Sequence, residues 1–175
     1  LRDITKQYGT VLIFDEVITG FRLALGGAQD YYGVTPDMTT FGKIVGGGMP
    51  MAVYGGRREI MDCISPTGPV YQAGTLSGNP VAVAAGTAML KLLMGDTDVY
   101  ERLEEKSARI ENAFRTAVEK YHIKAQVNRV GSLMSIFFTG EDVTDYDSAT
   151  TADTKAYADY FGFMLDHGIY VAPSQ

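Results

Sequence analysis

Thr10-Val11-Leu12-Ile13-Phe14 runs without a polar break into a pair of carboxylates, Asp15-Glu16. Strict alternation would mark a strand with one wet face; a short unbroken run marks a strand covered on both faces. Such strands belong to parallel sheets wrapped by helices, where ligands gather outside the carboxyl ends of the strands. The run therefore predicts an α/β fold and puts Asp15 at a ligand-binding position. A glycine-containing loop follows (Gly20, Gly26, Gly27), Thr35-Pro36-Asp37 marks a turn, and Met38 to Phe41 and Met51 to Tyr54 read as further strands. Between those two lies Gly42-Lys43-Ile44-Val45-Gly46-Gly47-Gly48-Met49-Pro50. It is too glycine-rich for a regular element and reads as a loop held close to something else.

Helices dominate downstream. Asn79-Pro80 is a cap followed by proline at the first helical position, opening a helix to about Met94 whose Ala84, Ala85 and Ala88 form a small-sided packing face. Gly95-Asp96-Thr97-Asp98 breaks it. Val99, Leu103, Ser107, Ile110, Phe114, Ala117 and Tyr121 then recur at three- and four-residue steps, predicting an amphipathic helix. Ala125 to Val130 and Leu133 to Thr139 read as strands around Gly131-Ser132, Thr151 to His167 as a helix closed by Gly168, and Ile169-Tyr170-Val171 as the start of another strand. The division predicted is residues 1–95 in a parallel α/β layer and 96–175 in a smaller α+β unit that breaks off without a natural stop. The missing initiator Met suggests that residues are absent upstream as well.

Composition excludes several classes of function. With 175 residues, 46% of them hydrophobic and 21% charged, the chain can bury a real core, roughly 70% of its unfolded surface. A net charge of −6, with no basic cluster beyond Arg57-Arg58, argues against nucleic acid and anionic membrane as partners. No apolar run reaches the ~18 residues of a membrane span. The single cysteine, Cys63, allows no internal disulfide and reads as a buried small hydrophobe in a reducing cytosol. Two histidines and one cysteine, widely separated, make no zinc site, so no metal is expected. The acidic run Glu141, Asp142, Asp145, Asp147 lacks the glycine and terminal Glu of a calcium loop and reads as a solvated connection.

Lys43 has three readings. It is a solvated lysine, as most are, or a phosphate ligand, or an amine for Schiff-base chemistry. The nucleotide-binding pattern fails, because Ile44 stands where Ser or Thr must hold magnesium. The third reading gains from Asp15. A lysine and a carboxylate 28 residues apart, each beside a strand end, suit the two poles of one flat cofactor.

Phe14-Asp15-Glu16-Val17-Ile18-Thr19-Gly20-Phe21-Arg22, with Thr40-Phe41-Gly42-Lys43 and the glycines after it, resembles the signature of class III aminotransferases. These are pyridoxal-phosphate enzymes of the type I fold. Four segments are similar to the aminomutase branch of that class: Gly26 to Gln29 with Tyr32 to Asp37; Gly55 to Met61; Tyr71 to Pro80; and Phe137-Phe138-Thr139 with Val171 to Gln175. The family has Leu where Phe41 stands and Gly where Ala52 stands, both beside the lysine loop.

The resemblance implies a part of the type I fold: a fragment of the large, parallel-sheet domain followed by the small C-terminal domain. It implies that Lys43 carries pyridoxal 5'-phosphate and relays protons, and that Asp15 pairs with the ring nitrogen. Val17 would pack on the ring, and Gly74 and Thr75 would bind the phosphate held by a neighbouring subunit, with Tyr71 near that shared site. A homodimer follows from this. The implied activity is amino transfer within one small amino-aldehyde, glutamate 1-semialdehyde, to give 5-aminolevulinate for tetrapyrrole synthesis, the cofactor passing through its pyridoxamine form. Two alternatives stand beside it: an ordinary class III aminotransferase with a separate amino acceptor, and a non-catalytic fragment of either. The expected location is the cytoplasm, or the plastid stroma in a plant.

Overall fold

The computed structural model describes residues 1–174; Gln175, the end of the last segment quoted above, lies outside the described residues. The chain divides into two compact units, Leu1–Tyr100 and the remainder from Glu101.

The first unit is built on a three-stranded sheet. A short helix, α1 (Arg2–Gln7), leads into β1 (Ile13–Glu16); α2 (Gly27–Tyr31) precedes β2 (Met38–Phe41). A 3-10 turn at Lys43–Gly46 is followed by β3 (Val53–Gly56), α3 (Arg58–Met61) and α4 (Pro80–Gly95). The strands lie in the order β1-β2-β3. β1 and β2 are parallel, with Asp15 opposite Thr40 and Glu16 opposite Phe41. β3 starts two residues later than expected and runs antiparallel to β2, with Phe41 opposite Val53. A parallel return needs a crossover of helix length, and residues 42–52 hold only the 3-10 turn and glycines. The layer is therefore mixed rather than parallel.

β1 also departs from expectation. It begins at Ile13 rather than Thr10, and it is not covered on both faces: Val11 is 47% and Ile13 53% exposed. Its apolar run has β2 on one edge only, so the sequence carries more hydrophobicity than these neighbours cover.

Asp37 ties this unit together. Its carboxylate accepts from the Leu12 main-chain N–H (2.8 Å), Arg2 (3.0 Å) and Arg57 (3.1 Å), linking α1 and the approaches to β1, β2 and α3. These donors, the Leu12 N–H foremost, hold its pKa at about 2.

The predicted cap of α4 is present: the Asn79 side chain accepts from the N–H groups of Val81 and Ala82, both at 3.1 Å. Its packing face is not the predicted one. Ala84 and Ala88 are exposed, while Ala82 and Gly86 are buried, a helical turn apart. A Cβ on Gly86 would overlap the Val45 carbonyl, and one on Gly47 would come 2.6 Å from the Ala85 carbonyl. The glycine loop and the helix thus meet backbone to backbone. Cys63 is exposed rather than buried, because α3 is a single turn that ends before it; its thiol donates to the Glu59 carbonyl.

The second unit holds most of the long helix α5 (Val99–Tyr121), then β4 (Gln126–Val130), β5 (Leu133–Phe137), α6 (Tyr146–Ala149) and α7 (Thr154–Asp166). β4 and β5 form an antiparallel hairpin. Arg129 on β4 pairs with Glu104 (2.8 Å) and Glu111 (2.5 Å) on α5, and Arg115 donates to the Val127 carbonyl (2.7 Å). Glu111 also accepts from Arg115 (2.8 Å), and the bonds from Arg129 first and Arg115 second lower its pKa. The predicted stripe of α5 is half-buried at Leu103, Ser107, Phe114 and Ala117, but Ile110 and Tyr121 are exposed.

Three expectations fail here. The acidic connection contains a helical turn, α6, capped by Asp145 and Ser148 bonding reciprocally. The final helix starts at Thr154, because the Asp153 side chain takes the cap (Lys155 and Ala156 N–H, 2.9 and 3.0 Å) and Thr151 instead bonds Thr139 at 2.8 Å. Residues 169–171 form no strand: no neighbouring strand pairs with them, and the chain is held by the Tyr157 hydroxyl donating to the Ala172 carbonyl (2.8 Å).

The described surface amounts to 12011 Å². Two separate compact bodies of these sizes would together expose roughly 10,000 Å², and the burial achieved is roughly 56% of the unfolded surface rather than the expected 70%. No helix among the described residues is long and apolar enough to cross a membrane.

Candidate functional site

The site is assembled where two parallel strands end side by side. Asp15 leaves β1 on its exposed side; Lys43 follows the end of β2 by two residues. Neighbouring strands lie ≈ 4.8 Å apart, and the partner of Asp15 in the ladder is Thr40. Parallel pairing thus brings the predicted carboxylate and amine to the same edge of the sheet.

The backbone at Lys43 is unusual. Its φ is +49°, in the left-handed region that side chains other than glycine enter at a cost. The side chain is exposed, and among the described residues it has no hydrogen bond or ion pair. The amine thus forms no contact that ties it to the fold. On the carboxylate side, Asp15 Oδ1 accepts the Val17 N–H at 3.0 Å. That bond ties the exposed Asp15 side chain to the backbone at Val17. Gly42 closes the gap between the two poles: a Cβ there would come 3.1 Å from Val17 Cγ1.

Val17 and Gly74 also line one cleft of about 430 Å³, together with Thr40, Tyr54 and Gln72. Asp15, Lys43, Thr75 and Tyr71 lie outside its lining. The whole stretch 71–78 is exposed, and Tyr71 is 83% exposed. The structure therefore gathers Asp15, Val17 and Lys43 at the strand ends, adds Gly74 through the cleft, and leaves Thr75 and Tyr71 facing solvent.

The residues fit pyridoxal phosphate. The fit rests on the unpartnered amine of Lys43, the exposed carboxylate of Asp15, and Gly42, where a Cβ would crowd Val17. Among the described residues no group of three His, Cys, Asp or Glu side chains could hold a metal ion.

One participant was not foreseen. Glu16, next to Asp15, is 1% exposed and is the largest fully buried side chain. Alternation along β1 turns it inward as Asp15 turns outward. The sequence signal was available: Gly26-Gly27 followed by a short helix offers N–H groups to an acid arriving from a strand.

Comparison with known proteins places the whole chain in one family. The family model for aminotransferase class-III matches residues 1–175. The chain is 59% identical to glutamate-1-semialdehyde 2,1-aminomutase 2 of Lachnoclostridium phytofermentans, over 100% of this chain and 41% of that protein. It spans about two fifths of the length of the curated relatives it matches. An omega-transaminase from Sphaerobacter thermophilus is similar in structure, with a TM-score of 0.87 at 32% identity over 99% of this chain and 40% of that chain. A transaminase with pyridoxal phosphate bound gives 0.85 at 30% identity, over 99% and 40%. A match that leaves no part of the sequence unaccounted for, on a fold that sets the lysine and the carboxylate at one sheet edge, admits one conclusion: the chain belongs to the class III aminotransferase family.

Proposed function

We propose that this chain, within a protein of its relatives' length, serves a pyridoxal-phosphate-dependent aminomutase that converts glutamate 1-semialdehyde to 5-aminolevulinate, a precursor of tetrapyrroles. The observation that carries the cofactor chemistry is the unpartnered, left-handed Lys43 beside the strand end that bears Asp15. The choice of substrate rests on likeness to proteins of that name.

When bound, pyridoxal phosphate supplies an electron sink that lets a substrate carbon lose and regain a proton. The Asp15 carboxylate would pair with the ring nitrogen and favour its protonated form, which would keep the sink effective. Lys43 Nζ would hold the cofactor and would serve as the general base and general acid for the substrate's proton. Val17 orients the ring from one side. The exposed loop with Gly74, Thr75 and Tyr71 is free to meet a second copy, which supports a homodimer with shared cofactor sites. A cytoplasmic enzyme is part of the same proposal.

An ordinary transaminase remains the second reading, favoured by structural likeness to the Sphaerobacter enzyme. Incubation of the full-length protein with pyridoxal phosphate, borohydride reduction and peptide mapping should give one adduct, on Lys43. An unmodified Lys43 would overturn the cofactor reading. Turnover of glutamate 1-semialdehyde without any 2-oxo acid separates the two activities; a strict need for an acceptor would sink the aminomutase.

A further inference from the structure

Glu16 makes no contact with the outward face of the site, yet its carboxylate is the best-satisfied polar group near it. Oε2 accepts from Thr19 Oγ1 (3.1 Å) and the Ala28 N–H (2.5 Å); Oε1 accepts from the Gln29 N–H and Gln29 Nε2, both at 3.1 Å. A carboxylate has about four acceptor positions, so four donors fill it. The same Gln29 Nε2 reaches Thr39 Oγ1 on β2 at 3.4 Å. Thr39 is the ladder partner of Phe14, one residue before Asp15. One buried side chain thus ties β1 to the loop after it, to the start of α2 and, through Gln29, to β2.

Gly27 is shaped to this arrangement: its φ is +73°, and a Cβ there would overlap the Glu16 carboxylate. A buried carboxylate needs its donors, because stripping water from a charge without replacing it is costly. The network therefore has two states, intact or broken, and the intact one fixes the backbone from which Asp15 projects.

We infer that Glu16 is a positioning residue for Asp15, holding the cofactor-facing carboxylate in register from the buried side of the strand. The inference rests on the assignment of Asp15 and Lys43 above. A purely structural acid would lower stability without acting through Asp15; a positioning residue must be coupled to it. The test uses the full-length protein loaded with pyridoxal phosphate, as wild type, Glu16→Gln, Asp15→Asn and the double variant. Two quantities are read: the cofactor dissociation constant and the pH midpoint of the cofactor absorbance band. Glu16→Gln is expected to weaken cofactor binding by roughly tenfold, the lower end for a supporting residue. It is expected to move the midpoint in the same direction as Asp15→Asn and to add little once Asp15 is Asn. Independent, additive effects would overturn the inference, as would an unchanged midpoint. No effect of Asp15→Asn itself would overturn the assignment of Asp15, a distinct failure. Should Glu16→Gln not fold, Gln29→Leu removes only the side-chain donor; it must move the midpoint the same way, to a smaller extent, and no movement would sink the inference.

Discussion

At the scale of single residues, two positions are defined by a backbone that few residues adopt. Lys43 sits at φ +49° and Gly27 at φ +73°. Only glycine enters that region freely, and Gly27 has the further constraint of the Glu16 carboxylate where a Cβ would stand. Gly27→Ala is therefore expected to cost about 1–3 kcal/mol, read as a lower urea midpoint. An unchanged midpoint would mean the carboxylate lies elsewhere. Asp37 makes a prediction in pH. Its folded pKa is about 2 against an ordinary 3.8. The stability it contributes is complete above the unfolded value and is lost as pH falls through the folded one. Thermal unfolding between about pH 4 and pH 2 should therefore steepen with acid in the wild type and flatten in Asp37→Asn; equal slopes would contradict the network. The placement of Asp15 and Lys43 beside neighbouring strand ends was legible because residue type and strand position agree in the sequence, whereas Val17 came only from the family resemblance. Glu16 was overlooked although Gly26-Gly27 before a short helix offered a signal, because its donors from Thr19, Ala28 and Gln29 are brought together only by the fold.

At the scale of elements, what the sequence revealed depended on length and on neighbours. α4 and α5 declare themselves through caps and a long period, and both ends agree to within a residue of expectation. α6 is a single turn, too short for any period; only its Asp145–Ser148 cap marks it. β2 was found in place and the other strands were found but displaced, since a strand's bounds are set by its partner. β3 waits for the glycine loop to turn, and residues 169–171 have the composition of a strand with nothing beside them to complete it. The packing of the 3-10 turn on α4 predicts that Gly86→Ala disturbs the lysine loop, because the new methyl meets the Val45 carbonyl. A stability loss of about 1–3 kcal/mol should accompany it, with altered chemical shifts at Lys43. A variant with neither would show that the loop stands off the helix. Asn79→Ala should cost about 1 kcal/mol and leave those shifts in place, separating loss of a cap from displacement of the site.

At the scale of the whole molecule, the exposed surface is larger than two compact units need, and large apolar side chains are part of it: Ile4 and Tyr8 in and after α1, and Val11 and Ile13 at the start of β1, are all exposed. Large apolar patches mark surfaces meant to be covered. The 175-residue chain alone should accordingly bind an environment-sensitive dye such as ANS strongly, and the full-length protein should not. Equal binding by both would mean that the rest of such a protein covers a different face. Composition could not have shown this, because a hydrophobic fraction counts residues without saying which find partners. The lock on Glu16 has a consequence for engineering as well. A shift of β1 by one position would exchange the outward and inward carboxylates, and the strand itself contains nothing to prevent it. The key that forbids the shift is cut into Gly27 and Gln29. A designer who grafts this strand into another scaffold must graft that distant turn with it, or lose control of which acid meets the ligand.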